Sequence, residues 1–96
     1  MFLGIDLGTS SLKAVVIDQL HQVRATAEAD LTVSHPKANW SEQNPADWDQ
    51  ALIQVCSALA AQIPLHQVER IGLTGQMHGA TCLDEQGSVL RPCLLW

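Results

Sequence analysis

The stretch "GIDLGTSSLK", residues 4–13, joins an apolar segment to a β-branched one through a glycine and three consecutive hydroxyl residues. Residues 2–6, "FLGID", are short and apolar, and residues 12–18, "LKAVVID", are rich in Val and Ile, so both predict strands. Residues 8–11 then predict the turn between them. The stretch therefore predicts a β-hairpin near the first residue, with Asp6 at the end of its first strand.

A third strand is predicted directly after this hairpin. Residues 23–33 alternate strictly between apolar and polar side chains, which is typical of a strand with one buried and one exposed face. The connection at residues 18–22 is short enough to make the second and third strands antiparallel neighbours. The first 33 residues are thus predicted to form a three-stranded meander.

A helix and a fourth strand are predicted to follow the polar loop at residues 34–43. Asn44 can cap the helix, Pro45 suits its first position and Pro64 stops it. One apolar stripe at helical spacing is expected to cover the sheet, formed by Trp48, Ala51, Leu52, Val55, Ala58 and Leu59. Residues 68–73, "VERIGL", predict a strand that returns parallel to the first through a right-handed crossover.

The predicted order β-β-β-α-β gives an open, mixed α/β sheet. Ligands of such sheets collect outside the carboxyl ends of the parallel strands. Asp6 lies at one of those ends, and "TGQMHG", residues 74–79, lies at the other. Further along, residues 80–84 and 89–96 predict short strands around a turn at residues 85–88, with their pairing left open.

Composition narrows the class of protein and its surroundings. The 96 residues, 47% hydrophobic and 16% charged, describe one compact soluble unit. A net charge of −5 with only five Lys and Arg argues against a nucleic-acid partner. No apolar run approaches the roughly 20 residues that span a bilayer, so neither a membrane partner nor an ordinary signal peptide is expected. We expect a cytoplasmic protein.

The cysteines and the final residues carry two further expectations. Three cysteines without a CxxC pair favour neither a disulfide framework nor a zinc site, so Cys82 and Cys93 are expected in the core. The chain ends on the apolar run "RPCLLW", residues 91–96, without a cap or polar tail. We interpret this run as the point where a longer first domain has been truncated, which would leave exposed apolar surface.

The turn at residues 8–11 suits an anion. Gly8, Thr9, Ser10 and Ser11 can offer backbone N–H groups and hydroxyls to phosphate oxygens. The same residue types are also common turn formers, so the pattern alone leaves a purely structural turn open. Neither the Walker A pattern nor the dinucleotide pattern G-x-G-x-x-G occurs.

Two charged residues flank that turn. Asp6 is placed to hold a hydrated Mg²⁺, which keeps most of its waters and takes one or two carboxylates. Lys13 can compensate phosphate charge, although its position in the strand also allows it to point to solvent. Together they predict a site for a magnesium-bound phosphate.

The first motif resembles the phosphate motif of the actin and hexokinase superfamily, whose fold is ribonuclease H-like. Within it the chain resembles the FGGY carbohydrate kinases, through "GIDLGTSSLK", "WSEQNPADWDQA" at residues 40–51, "GQMHG" at residues 75–79 and "RPCLLW". The stretch "GQMHG" is similar to the xylulokinase subgroup. Gluconokinases carry a related Met-His pair followed by serine, where this chain has Gly79.

The resemblance implies an ATP-dependent kinase acting on D-xylulose, with ATP and Mg²⁺ as cofactors. It implies that Asp6 is catalytic and orients the Mg-nucleotide through water. Phosphate contacts are implied for Gly8, Thr9, Ser10, Ser11 and Lys13, and sugar contacts for Gln76, Met77 and His78.

The resemblance also implies that residues 1–96 are the first part of the N-terminal domain. The catalytic base and adenosine pocket would lie downstream, so the 96 residues alone are expected to be inactive. A homodimer is one option for the full-length protein.

Other functions stay open at this point. Another FGGY kinase, of gluconokinase or ribulokinase type, differs only in its sugar. A ribonuclease H-like nuclease also places a carboxylate at the end of its first strand, but it needs a second carboxylate nearby for paired metals. A non-catalytic actin-like or sugar-sensing module is the third option. The residues Trp40, Glu42 and Gln43 are interpreted as mainly structural, with Trp40 anchoring the loop before the helix.

Overall fold

A computed structural model describes residues 1–95. Its strands are β1 (Phe2–Leu7), β2 (Ser11–Ile17), β3 (Val23–Asp30), β4 (Glu42–Gln43), β5 (Arg70–Gly75) and β6 (Cys93–Leu94). The α-helix is α1 (Pro45–Ala60), and a 3-10 turn follows at Leu65–Gln67. Trp96, the last residue of the strand predicted at residues 89–96, lies outside the described residues.

The main sheet has the strand order β3-β2-β1-β5. Strands β1, β2 and β3 pair antiparallel, whereas β5 runs parallel to β1. The three-stranded meander and the parallel crossover strand are therefore confirmed, and with them the mixed α/β class. The third strand is shorter than predicted, because it ends at Asp30, opposite Ser11, where its partner β2 begins after the turn.

The helix begins where the capping pattern predicts. The Asn44 side chain accepts a hydrogen bond from the Ala46 N–H at 3.1 Å, and Pro45 occupies the first helical position. The helix ends at Ala60, ahead of the predicted stop at Pro64. The capping residues therefore predict the start of α1 correctly. Pro64 marks the end of α1 less well, because the helix ends at Ala60.

One stripe of the helix packs against the sheet. Ala51, Val55 and Leu59 are buried against small side chains of β2 and β3, among them Ala25 and Ala29. The predicted stripe is too wide, because Leu52 is 38% exposed and Ala58 is also exposed. A helix that approaches an alanine-lined sheet closely presents only a narrow face to it.

The helix covers β2 and β3 but leaves β5 open. Leu3 of β1 belongs to the core, but Ile71, its partner on β5, and the nearby Leu73 do not. Ile71 is 61% exposed and Leu73 is 77% exposed, although both lie on the face of the sheet that α1 covers elsewhere. The far edge of the sheet is thus apolar and uncovered.

A second, small sheet has one strand, β6, inside the strand predicted at residues 89–96, and another, β4, that the sequence did not predict. Strand β4 lies within the predicted polar loop and pairs antiparallel with β6, and single bridges add Ser34 on one side and Ala80 on the other. Cys93 is buried in this sheet as expected. Cys82 is exposed, so its predicted place in the core is wrong, because residues 80–90 run over the surface. Within residues 1–95, no helix is long and apolar enough to cross a membrane.

Candidate functional site

The carboxyl ends of β1 and β5 lie side by side. Asp6 is opposite Thr74 in the parallel ladder, and Leu7 is opposite Gly75. The Gln76 N–H then donates to the Leu7 carbonyl at 2.9 Å, which extends the pairing by one residue. The β1–β2 turn (residues 8–11) and the loop at residues 76–79 therefore leave the sheet at the same edge, as the sequence predicted.

A polar row crosses the sheet beside this edge. In register across the four strands stand Glu28, Lys13, Asp6 and Thr74. Strand alternation places these side chains on the face opposite α1, where they line an open groove of about 850 Å³. Negative and positive charges alternate along the row, so it can meet both a cation and an anion.

Lys13 is exposed in this groove. The ion pairs found among residues 1–95 join Met1 to Glu69, Arg24 to Asp18 and Arg91 to Glu42, and none of them involves Lys13. Its ammonium group is therefore available to a ligand in the groove.

The β1–β2 turn is held by hydrogen bonds to its own carbonyl groups. The Gly8 N–H donates to the Ser11 carbonyl at 3.0 Å, and the Leu31 N–H donates to the Ser10 carbonyl at 2.8 Å. The Thr9 carbonyl accepts from Gln43 Nε2 at 2.9 Å. Within residues 1–95, the N–H groups of Thr9 and Ser10 have no acceptor. The turn can therefore offer these two N–H groups to an anion.

The side chains of the turn differ in accessibility. Ser10 is exposed, Thr9 is half-buried and Ser11 is buried. A Cβ added to Gly8 would lie 3.2 Å from the Ser11 carbonyl oxygen, so glycine suits the closure of this turn. The structure thus presents the backbone of the turn and the Ser10 hydroxyl more openly than the Ser11 hydroxyl.

The loop at residues 76–79 folds around its own glutamine. Gln76 Oε1 accepts a hydrogen bond from the His78 N–H at 3.1 Å. Met77 is 85% exposed, and the His78 residue is exposed as well. A Cβ on Gly79 would overlap Gln76 Nε2 and lie 3.0 Å from Cys93 Sγ. Glycine at position 79 therefore leaves room for the Gln76 amide, which a larger residue would displace.

Gln43 is a residue of this edge whose contact with the turn the sequence did not reveal. Its side chain is 1% exposed, and its Oε1 accepts from Trp48 Nε1 at 2.7 Å while Nε2 donates to the turn. The sequence shows that Gln43 is a polar residue two positions before Pro45, but it does not show that its partner is the Thr9 carbonyl. The predicted structural role of Gln43 thus includes direct contact with the candidate site.

Its neighbours in the loop before the helix have other partners. Glu42 is buried and forms an ion pair with Arg91. Trp40 is 44% exposed, and its ring lies under Lys37 Nζ, 4.7 Å from the ring centroid. Glu42 belongs to β4 of the small sheet and Trp40 lies just before that strand, and neither residue lines the groove of Asp6 and Lys13.

The residues at the groove fit a hydrated magnesium ion. Among residues 1–95, no group of three or more His, Cys, Asp or Glu side chains could enclose a metal. Mg²⁺ in phosphate sites usually takes only one or two carboxylates and keeps several waters, so the exposed carboxylate of Asp6 suits such an ion. Position 74, opposite Asp6, is a threonine and does not supply the second carboxylate that a two-metal nuclease needs.

Comparison with known proteins finds sugar kinases, the class that the sequence motifs resemble. The xylulose kinase of Escherichia coli (strain K12) is 48% identical over 96 residues, which are 100% of this chain and 20% of that protein. A crystal structure described as a xyloylose kinase from Brucella ovis matches with a TM-score of 0.95 and 49% identity, over 98% of this chain and 20% of that one. A gluconokinase of Bacillus subtilis (strain 168) is 32% identical over 94 residues, 98% of this chain and 18% of that protein.

The mixed sheet is that of the N-terminal domains of actin/hexokinase-like sugar kinases. The pattern of the family described as "FGGY family of carbohydrate kinases, N-terminal domain" matches residues 1–96. The chain belongs to the FGGY family of carbohydrate kinases. It spans about one fifth of the length of the curated relatives it matches.

Proposed function

We propose that this chain is part of a sugar kinase that transfers the γ-phosphoryl group of ATP to the terminal hydroxyl of D-xylulose, giving D-xylulose 5-phosphate. The observation that carries the proposal is the parallel pairing of β1 with β5, which brings the β1–β2 turn and the 76–79 loop to one edge. A phosphate-binding turn and a sugar-binding loop must meet in this way for direct transfer. The similarity to xylulose kinases supports D-xylulose as the sugar.

The turn and its flanking charges would bind the nucleotide phosphates. The N–H groups of Thr9 and Ser10 and the ammonium of Lys13 would face the phosphate oxygens, while Gly8 and Ser11 close the turn. Asp6 would hold Mg²⁺ through water, and the ion would neutralise phosphate charge. Phosphoryl transfer depends chiefly on such positioning and charge stabilisation.

The 76–79 loop would bind the sugar. The exposed Met77 thioether can pack against the C–H face of a sugar without requiring a hydrogen bond. His78 can exchange hydrogen bonds with sugar hydroxyls through its ring nitrogens, and the amide of Gln76 holds the loop backbone. These three residues would therefore define the acceptor side of the edge.

The remaining parts of such a kinase would come from outside residues 1–96. We propose that these residues form the first part of its N-terminal domain, because they span only 20% of the Escherichia coli relative. The carboxylate that accepts the hydroxyl proton and the adenosine pocket would lie elsewhere in the full-length protein. The 96-residue chain alone would then be inactive, and the full-length enzyme would act in the cytoplasm without nucleic-acid or membrane partners.

The experiment that tests the proposal measures ATP-dependent ADP release by the full-length gene product on D-xylulose, gluconate, ribulose and glycerol. We expect D-xylulose to give the highest kcat/KM. Asp6→Ala should lower kcat by about 10³-fold, because it removes the carboxylate that would hold the phosphate-bound metal through water. Asp49→Ala is the matched control, since Asp49 is an exposed carboxylate on α1, on the other face of the sheet from the groove; its kcat should stay within about threefold.

The choice of sugars separates the alternatives. Turnover with gluconate alone would keep the kinase and replace the sugar, an option that the similarity to the gluconokinase of Bacillus subtilis supports. Absence of turnover with every sugar, combined with sugar binding in calorimetry, would favour a non-catalytic sensor.

A further inference from the structure

The buried side chain of Gln43 is hydrogen-bonded to the backbone of the β1–β2 turn. Its buried amide donates from Nε2 to the Thr9 carbonyl at 2.9 Å and to the Thr32 carbonyl at 3.4 Å, and its Oε1 accepts from Trp48 Nε1 at 2.7 Å. Both the donor and the acceptor of the amide are therefore used. Because an unpartnered buried amide is costly, these bonds fix the side chain in one orientation.

The Thr9 carbonyl belongs to the same planar peptide unit as the Ser10 N–H. In a trans peptide the C=O and N–H groups point in opposite directions, and residues 1–95 contain no cis peptide bond. Holding the Thr9 oxygen against Gln43 therefore directs the Ser10 N–H away from the protein core. That N–H has no acceptor within the described residues, so it is directed toward any anion at the turn.

The backbone of Gln43 fixes the opposite side of the same edge. Gln43 pairs with Cys93 in the small sheet, and the following residue, Leu94, exchanges two hydrogen bonds of 2.9 Å with Ala80. Cys93 Sγ lies 3.0 Å from the position that a Cβ on Gly79 would take. Side chain and backbone of one residue thus connect the β1–β2 turn to the end of the 76–79 loop.

We infer that Gln43 is a positioning residue that orients the Thr9–Ser10 peptide toward the transferred phosphate and keeps it in register with the 76–79 loop. The inference rests on the proposed function for the identity of the anion. It predicts that loss of the amide lowers the rate of transfer more than the affinity for the sugar, since Met77 and His78 keep their own contacts.

The test uses steady-state kinetics of the full-length protein with Gln43→Met, which keeps the length of the side chain and removes its amide. We expect kcat to fall at least tenfold and the sugar KM to stay within about threefold. Trp48→Phe is the second variant; it leaves the donors of Gln43 but removes the N–H that orients its Oε1. Its kcat should fall about threefold to fivefold.

Gln62 offers a matched control. Its Nε2 donates to the Thr26 carbonyl at 2.9 Å and to the Ala58 carbonyl at 3.1 Å, which are bonds of the same kind remote from the edge. Gln62→Met should keep kcat within about twofold. A folded Gln43→Met protein with kcat within threefold of the wild type, or an equal loss in both variants, would overturn the inference.

Hydrogen exchange followed by mass spectrometry separates this inference from the proposed function. A peptide covering residues 7–12 should exchange faster in Gln43→Met than in the wild type, and should not change in Gln62→Met. This readout needs no turnover, so it tests the positioning role even if the wild type phosphorylates none of the sugars. Unchanged exchange of that peptide in Gln43→Met would refute the positioning role.

Discussion

Gln43 Nε2 and the carbonyl oxygen of Thr9 are joined by a 2.9 Å hydrogen bond across 34 residues of sequence. The bond links the segment before α1 to the turn at the end of β1, so the candidate site is fixed by long-range contacts as well as by its local turn sequence. Changes near this edge should therefore alter the function of the site more than they alter the meander beneath it.

Replacement of Lys13 should weaken ATP binding without disturbing the fold. Lys13→Met should raise the KM for ATP by about tenfold, because the charge facing the groove is lost while the strand is kept. Lys37→Met is the control, since the other lysine of the chain lies over Trp40, outside the groove. Equal KM values for ATP in the two variants would contradict a phosphate role for Lys13.

Much of the fold could be predicted from the sequence because its signals are local. Strict alternation predicted β3, the Asn44-Pro45 pair predicted the start of α1, and the helix that precedes β5 predicted its return parallel to β1. The strand predicted at residues 89–96 contains β6, but β4 and its pairing with β6 could not be predicted, because each strand has two residues and carries no periodic pattern. Its pairing depends on contacts between segments 50 residues apart, such as Gln43 with Cys93.

Gly79 gives a test of sugar specificity. The chain has glycine where the related Met-His pair of gluconokinases precedes serine, and a Cβ here would overlap Gln76 Nε2. Gly79→Ser should therefore displace the Gln76 amide and raise the KM for D-xylulose about tenfold, with the KM for ATP unchanged. Thr81→Ala, at an exposed position two residues further on, should leave both constants unchanged. A Gly79→Ser enzyme with wild-type KM for the sugar would show that the loop accommodates the larger side chain.

The Glu42–Arg91 ion pair should stabilise the small sheet. Arg91→Met leaves the buried Glu42 carboxylate without its partner, so we expect a loss of about 1–2 kcal/mol in the free energy of unfolding. Combining it with Glu42→Gln should cost less than the sum of the two changes, because the second removes the unpaired charge. Denaturant unfolding of the four proteins of this cycle measures the coupling. Strict additivity would mean that the pair contributes nothing.

The candidate site was less predictable than the fold. The motif indicated which residues gather at the edge, but burial differs among them: Ser10 is exposed, whereas Ser11 is buried. Such differences arise from packing around the turn and carry no signal in its sequence. The same holds for Gln43, whose partners Thr9 and Thr32 belong to segments remote in the chain.

Asp18 should make the β2–β3 turn sensitive to acid. The Gln22 N–H, which donates to Asp18 Oδ1 at 3.0 Å, is the largest of the causes that hold the pKa of Asp18 below its ordinary value of 3.8. A lowered pKa in the folded state means that the stabilisation is complete above the ordinary value and is lost as the pH falls through the folded value. The difference in Tm between wild type and Asp18→Asn should therefore shrink below pH 3.8. A difference that stays constant from pH 7 to pH 2 would contradict this.

The uncovered edge strand predicts how the 96-residue chain behaves by itself. Ile71 and Leu73 are 61% and 77% exposed on β5, and Leu90, near the apolar run at residues 91–96, is also exposed. Contiguous apolar surface on a strand edge favours association, so we expect the purified 96-residue chain to form dimers or larger species in light scattering. Ile71→Thr combined with Leu73→Thr should shift it toward monomer, because threonine keeps the strand propensity and removes apolar area. Val23→Thr is the control, since that exposed position lies on β3 at the other edge. A monomeric wild-type chain would show that the β5 edge does not drive association.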